Sequence, residues 1–201
     1  MQKTLNQPSK AAKSINDERT FLTDKEIDKL MAAAKKSGRY GHRDALMITL
    51  GYHHAFRSLE LVNLKKNQID LDKGTIYVHR VKNGDSGIHP LSGDEIRELR
   101  KLYREYPDSD FVFSTERKAP MTTRTYRNIV QQAGINAGFD FRVHSHLLRH
   151  SCGYRLVNQK IGNQKVSIRH IQQYLGHKNI QHTVRYAKLD EDRFDGFEKL
   201  F

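Results

Sequence analysis

A single cysteine, Cys152, is all the thiol this chain carries. That excludes an intramolecular disulfide and suits a reducing cytosol, so the chain is expected in the cytoplasm. Cys152 sits in RHSCGYRL, a helical run, where a small buried filler is the better reading than a nucleophile. Long apolar runs are missing too. No stretch approaches the ~20 residues a membrane span requires. The opening MQKTLNQPSKAAKSINDERT has no apolar signal core, so neither membrane insertion nor secretion is expected. Acidic residues are scarce: 23 Asp and Glu face 35 Lys and Arg, leaving a net charge of +12. A domain so basic commonly meets a polyanion, nucleic acid first. Internal repeats and low-complexity tracts are also absent.

What is present suffices for one domain with a real core: 201 residues, 37% of them hydrophobic. Residues 1–20 are polar and aperiodic and read as a flexible basic arm carrying Lys3, Lys10, Lys13 and Arg19. Order is expected from residue 21, with 21–201 forming the domain. Thr23 and Glu26 make a capping box, Leu22 and Ile27 a hydrophobic staple, and Ile27, Leu30, Met31 and Ala34 follow at helical spacing. A buried helix is predicted within 38–56, and another over RSLELVNLKKNQI. The pattern then turns to strands: Asp72-Lys73-Gly74 and KNGDSG are turn signals around β-rich runs, giving an antiparallel sheet of about three strands. Ser92 and Glu95 cap a helix bearing Ile96, Leu99 and Leu102, and DFVFST is a short apolar run. Further helices are predicted over 123–138, 145–159, 167–176 and 180–188. The fold class is mainly α with a small antiparallel β-sheet.

Chemistry on a phosphodiester needs a nucleophile, a proton donor for the leaving oxygen, and cations around the charge growing on phosphorus. The sequence offers each. HAFRSLEL places Arg57 at a helix start, HRVKNGDSG puts Lys82 at a hairpin tip, and HSHLLRHSCG sets His146 and Arg149 three apart on one face. LGHKN supplies His177 after the helix-stopping Gly176, and HTVRY ends in Tyr186, with His182 and Thr183 read as support for the helix. Taken singly, Tyr186 is a packing residue, Lys82 a solvated turn residue, Arg57 a partner for Glu60, and His177 a cap. His144, His146 and His150 also raise zinc, since histidines four apart on a helix bind it, but no Asp, Glu or Cys completes the group. Satisfied or packing histidines are the better reading for His144 and His150.

FRSLEL, the hairpin lysine, HSHLLRHSCG, YLGHKNIQHT and the terminal RY occur together in one order. In this the chain resembles the tyrosine recombinase (phage integrase) family, over about residues 21–190, and most of all its short fimbrial phase-variation invertases. The resemblance implies a tyrosine-recombinase-like catalytic domain and a role for each residue. Tyr186 attacks a DNA phosphate, leaving a 3′-phosphotyrosyl link. Arg57 and Arg149 hold the non-bridging oxygens, Lys82 protonates the departing 5′-oxygen, His146 takes or shares the tyrosine proton, and His177 donates to the phosphate. The bond energy stays in the covalent link, so neither metal nor other cofactor is implied. All six side chains are expected to converge on one phosphate.

Double-stranded DNA is therefore the expected partner, with Lys65, Lys66, Arg80, Arg117, Lys118, Arg124 and Arg127 as candidate contacts. MTTRTYRNIV stands out: Thr122 or Thr123 caps a helix whose first turns carry Arg124 and Arg127 toward a groove. Many family members carry an N-terminal helical domain; only a short arm precedes the first cap here, so DNA-bending accessory proteins are expected. Phe194, Phe197 and Phe201 recur at helical spacing, an amphipathic tail helix from about residue 190 that packs at home or on a neighbour in a homotetramer on paired sites. The reading is a recombinase that inverts, or integrates and excises, DNA through a Holliday junction. Its competitors are a non-catalytic DNA-binding regulator with this fold, a topoisomerase-like relaxing enzyme and a metal nuclease.

Overall fold

A computed structural model describes residues 19–188 apart from Asn83 and Asn163. Residues 1–18 of the expected arm and the expected tail helix lie outside the described residues, while Arg19, at the arm's end, pairs with Glu26 at 2.7 Å. In chain order the elements are α1 (Asp24–Lys35), α2 (Gly41–His53), α3 (Ser58–Val62), β1 (Ile69–Asp70), β2 (Thr75–Val78), β3 (Gly87–Pro90), α4 (Gly93–Glu105), α5 (Thr123–Asn136), α6 (Ser145–Asn158), β4 (Lys160–Ile161), β5 (Gln164–Lys165), α7 (Ile168–Leu175) and α8 (Gln181–Ala187). The architecture is mainly helical with small antiparallel sheets, as the periodicity predicts.

The helix starts follow the capping chemistry. Glu26 accepts the Thr23 backbone N–H at 2.8 Å, and Ser92 and Glu95 bond each other's backbone N–H at 3.2 and 2.8 Å. Thr122 caps α5 by accepting from the Thr125 N–H at 3.1 Å. α2 is buried around most of its circumference, with Leu46, Met47, Ile48, Leu50 and Tyr52 all enclosed. It forms the centre of the domain, with α1, α4, α5 and α6 packed on it. The β1-β2-β3 sheet is antiparallel, in the register Ile69↔Ile76 and Tyr77↔Ile88. Ile76 and Val78 turn into the core while Tyr77 and Ile88 face out, the period-2 alternation of a half-buried sheet.

Two expectations need correction. The helix predicted over RSLELVNLKKNQI stops at Val62 and resumes only as a 3-10 turn over Lys66–Gln68. The apolar run DFVFST captures the backbone in between: Val112 donates to the Leu64 carbonyl at 2.9 Å, and Lys66 donates to that of Asp110 at 2.8 Å. Tertiary pairing overrides local helix propensity there. The β4–β5 hairpin went unpredicted. Its strands are two residues each, too short for alternation to register, and only Gly162 at φ +63° marks the turn.

A buried polar network ties the sheet to the helices. Glu95 Oε1 accepts from His53 Nδ1 at 3.0 Å and His54 Nε2 at 3.1 Å, while His89 lies 3.3 Å from His54 and stacks on Tyr174. Burial alone raises a carboxyl, but the two histidine donors hold Glu95 well below the usual range. Burial, with His54 beside it, pushes His89 down to about 3. These histidines have no assignable role in the sequence; in the fold they join α2, β3, α4 and α7. Among the described residues, no group of three or more His, Cys, Asp or Glu is arranged to hold a metal ion. No helix there is long and apolar enough to cross a membrane.

Candidate active site

Arg149 is the innermost of the expected site residues. It lies on α6 only 2% exposed, and its guanidinium donates to the carbonyls of Ala55 and Leu175, both at 2.5 Å. Burial, then Arg80 and Arg57, push it down to about 9, so it stays protonated at neutral pH. Arg57 sits immediately before α3 with its side chain 26% exposed. Its backbone N–H and its Nη1 both donate to Glu60, at 2.9 and 2.7 Å. The Arg57–Glu60 pairing visible in the sequence is real, and it orients Arg57 rather than excluding it from the site. Arg57 and Arg149 both lie close enough to disfavour charge on His146 and on His177.

Arg80, expected at the DNA surface, is inside. Its Nη1 donates to the Ala55 carbonyl at 2.9 Å and Glu60 Oε2 at 3.0 Å; its Nη2 donates to the carbonyls of His54 and Tyr174, both at 2.9 Å. At 4% exposure it is a strut joining α2, α3 and α7. Lys66 is half-buried, and its ammonium is taken up by the carbonyls of Tyr106 and Pro107 at 2.6 and 3.1 Å. Burial lowers its affinity for a proton. Lys65, Arg117, Lys118, Arg124 and Arg127 remain on the surface, although Lys118 is paired with Asp108 at 2.9 Å.

Lys82 is exposed at the β2–β3 turn, in the left-handed region at φ +58°. The turn is packed down beside the cluster. A Cβ on Gly84 would lie 2.9 Å from the Gly176 carbonyl oxygen and 3.5 Å from Arg57 Nη1. Gly176 itself ends α7 at φ +64°, and a Cβ there would meet the Asp85 carbonyl at 2.6 Å. Two glycines thus let the hairpin and the end of α7 touch backbone to backbone, with Arg57 on one side and His177 on the other. His177 is 6% exposed, and its Nδ1 lies 2.9 Å from the Thr183 hydroxyl. Burial and the Arg149 charge push it down to about 3, which keeps it neutral. Thr183 therefore orients His177 as well as packing α8.

Tyr186 is enclosed, 3% exposed, with its ring laid against Gly153 of α6. Its hydroxyl is 2.7 Å from His150 Nδ1 and accepts from Arg185 Nη2 at 3.2 Å. His150 is a satisfied histidine, as the sequence reading has it, but the sequence does not reveal that its partners are Tyr186 and Arg185. The one local signal is adjacency, since His150 follows the His146 and Arg149 pair and Arg185 adjoins Tyr186. His146 is one turn before His150, ring to ring at 4.4 Å; it is exposed on the outer side of α6, and partial desolvation, then Arg149, lower its proton affinity. Beside the hydroxyl is a pocket lined by Thr20, Phe21, His150, Tyr154, Arg185 and Tyr186. Burial pushes the Cys152 thiol up to about 12, which removes it as a competing nucleophile.

Gly153 has a testable part in this seat. A Cβ there would approach three atoms of the Tyr186 ring at 2.7–3.0 Å. Gly153→Ala is expected to destabilise the fold by about 1–3 kcal/mol through overpacking, read as a lowered urea midpoint at unchanged m-value.

In sum, Arg57, Arg149, His146 and His177 form one cationic and imidazole cluster, with Tyr186 on its flank and the Lys82 turn packed against it. The phage integrase family model matches residues 20–193. The chain is 38% identical over 189 residues to the type 1 fimbriae regulatory protein FimB of Escherichia coli (strain K12), covering 92% of each. It is 32% identical to tyrosine recombinase XerA of Thermococcus kodakarensis, over 84% of this chain and 57% of that protein. The crystal structure of a lambda integrase dimer bound to a COC′ core site superposes with a TM-score of 0.65 at 25% identity, over 89% of this chain and 50% of that one. The chain thus spans nearly all of the fimbrial relative and about half of the other two.

Proposed function

The chain belongs to the phage integrase family, and from that premise we propose that it is a site-specific DNA recombinase with Tyr186 as nucleophile. The Tyr186 oxygen attacks a phosphodiester, leaving a 3′-phosphotyrosyl link and a free 5′-hydroxyl. Arg57 and Arg149 hold the non-bridging oxygens, where planar guanidinium forks suit phosphate better than point charges. Arg149 is held rigid by its two carbonyls, so the site needs little rearrangement as charge grows on phosphorus. His177 carries its proton on Nε2 when the Thr183 hydroxyl donates to Nδ1, and then donates to the same phosphate. Lys82 protonates the leaving 5′-oxygen from its turn. The 5′-hydroxyl of another strand reverses the attack, so exchange proceeds through a Holliday junction without an external energy source.

The single observation that carries this reading is the junction at Arg149: its guanidinium ties the Ala55 carbonyl, two residues before Arg57, to the Leu175 carbonyl, two before His177, on the helix that bears His146 and packs on Tyr186. The partner is double-stranded DNA, bound as a tetramer on paired sites, with accessory proteins bending it. Lys65, Arg124 and Arg127 are the surface contacts. Similarity to a fimbriae regulatory protein over almost the full length favours inversion of a promoter-bearing segment.

The test is to map covalent protein–DNA adducts on DNA from the source organism, then place two copies of the mapped site in inverted orientation on a reporter plasmid. Adducts at discrete sites and inversion of the intervening segment are expected, both unchanged in EDTA. Binding at discrete sites with no adduct on nicked substrates would establish the non-catalytic regulator instead. Relaxation of any supercoiled plasmid regardless of site would establish the relaxing enzyme.

A further inference from the structure

The nucleophile's proton needs a destination. A free phenol holds its proton to about pH 10, so attack at neutral pH calls for a base within hydrogen-bond reach. His150 Nδ1, at 2.7 Å, is that atom. His146, the residue the resemblance nominates, has its ring against His150. We propose that His150 is a catalytic residue that accepts the Tyr186 proton on Nδ1 as the phosphotyrosyl bond forms, with Arg185 holding the oxygen for attack. This inference rests on the recombinase reading.

The step balances. Tyr186 Oη bonds to phosphorus, the bond from phosphorus to the 5′-oxygen breaks, the phenolic proton passes to Nδ1, and the leaving oxygen takes a separate proton from Lys82. For Nδ1 to accept, the free imidazole must be neutral with its proton on Nε2. Its surroundings favour that state: burial pushes it down to about 3, helped by His146, Arg185, Arg149 and His144. Those groups face it from α6 and α8, the two helices that meet at Tyr186. The same cations that keep His150 neutral in the free chain are offset by the phosphodiester anion once DNA is bound, which makes the imidazolium less costly when it is needed. Arg185 Nη2 lies 3.2 Å from Oη and 3.0 Å from Nδ1, so it also stabilises the oxygen as its proton departs. Reversal uses the same atoms: His150 returns the proton as Tyr186 leaves phosphorus.

The test compares single-turnover cleavage of a nicked duplex bearing a mapped site. His150→Asn keeps an acceptor near the Nδ1 position but cannot take up a proton. It is expected to lower the rate by about 10²-fold, the usual scale of general-base catalysis. The decisive readout is rescue. With 3,5-difluorotyrosine at position 186, a more acidic phenol, the gap between His150→Asn and the parent should shrink at least about tenfold, because a nucleophile already ionised needs no base. A purely structural role would leave that gap unchanged, and an unchanged gap overturns the proposal. So does cleavage by His150→Asn within a few-fold of the parent. His150→Gln serves as second variant if the first does not fold. An adduct from the parent chain in the same experiment confirms the recombinase reading separately; without it, that reading fails first.

Discussion

Tyr186→Phe is expected to form no covalent link to DNA and to invert nothing, while binding the same duplex with undiminished affinity. The substitution removes one oxygen. The ring keeps its seat against Gly153, and Arg149, Arg57 and His177 keep their own partners, none of which involves the hydroxyl. His150 Nδ1 loses the Tyr186 contact but retains Arg185 at 3.0 Å, so no buried group is stranded. The stability cost is then about 0.5–1.5 kcal/mol, that of an ordinary hydrogen bond. Denaturing gels of protein incubated with a nicked site read the adduct, gel shifts read binding, and urea unfolding reads stability. A surviving adduct would identify another nucleophile. Complete loss of binding would mean that the hydroxyl is structural.

Glu60→Gln is expected to be costly for both fold and activity. One fully buried carboxylate takes four donors: the backbone N–H groups of Arg57 and Val81, and the guanidinium groups of Arg57 and Arg80. Burial pushes the carboxyl up, but Arg80 and Arg57 outweigh it and hold it below its ordinary range. An amide offers one acceptor where the carboxylate offered two, and presents its own N–H groups to arginine. Removing one partner of a buried ion pair costs about 3–5 kcal/mol, about 6–20 °C in Tm for a domain of this size. Cleavage should fall further than unfolding explains, because Arg57 loses the contact that aims it. Calorimetry and single-turnover cleavage measured well below the variant's Tm separate the two effects.

The sign of the pH dependence follows from the same group. A carboxyl whose folded pKa lies below its unfolded value of 4.5 contributes stability in full above that pH and loses it as pH falls through the folded value. Glu95 acts in the same direction. The buried histidines add an earlier loss: His89 and His177 stay neutral in the fold, so below about 6.5 protons bind the unfolded chain preferentially. Stability should therefore decline in two stages on acidification, and Glu60→Gln should flatten only the second.

Local chemistry explains which parts of this molecule could be read in advance. Thr23, Ser92 and Gly176 act on neighbours within a few residues, so their caps and stops were legible. The six expected site residues lie in recognisable blocks, and four of them are brought into one cluster. The misreadings are matters of tertiary placement. Arg80 and Lys66 look like any other basic side chains in a basic chain, and nothing nearby shows that carbonyls from distant segments will claim them. His150 is satisfied as read, but its partner becomes visible only when α8 folds back and sets Tyr186 on it. The break after Val62 has the same origin, because DFVFST lies more than forty residues away.

Ala55 shows how this arrangement constrains the protein's future. A non-glycine residue at φ +51°, its carbonyl accepts from both Arg80 and Arg149. The buried strut and the arginine assigned to phosphate hang from the same oxygen, so substitutions that loosen one are expected to loosen the other, and surfaces that share none of these bonds are expected to tolerate change. The outward face of α5, bearing Arg124 and Arg127, is such a surface. On the proposed DNA contacts, a library randomised there is expected to change DNA preference while the fold stays intact, whereas one spread across the interior would return mostly chains that no longer fold.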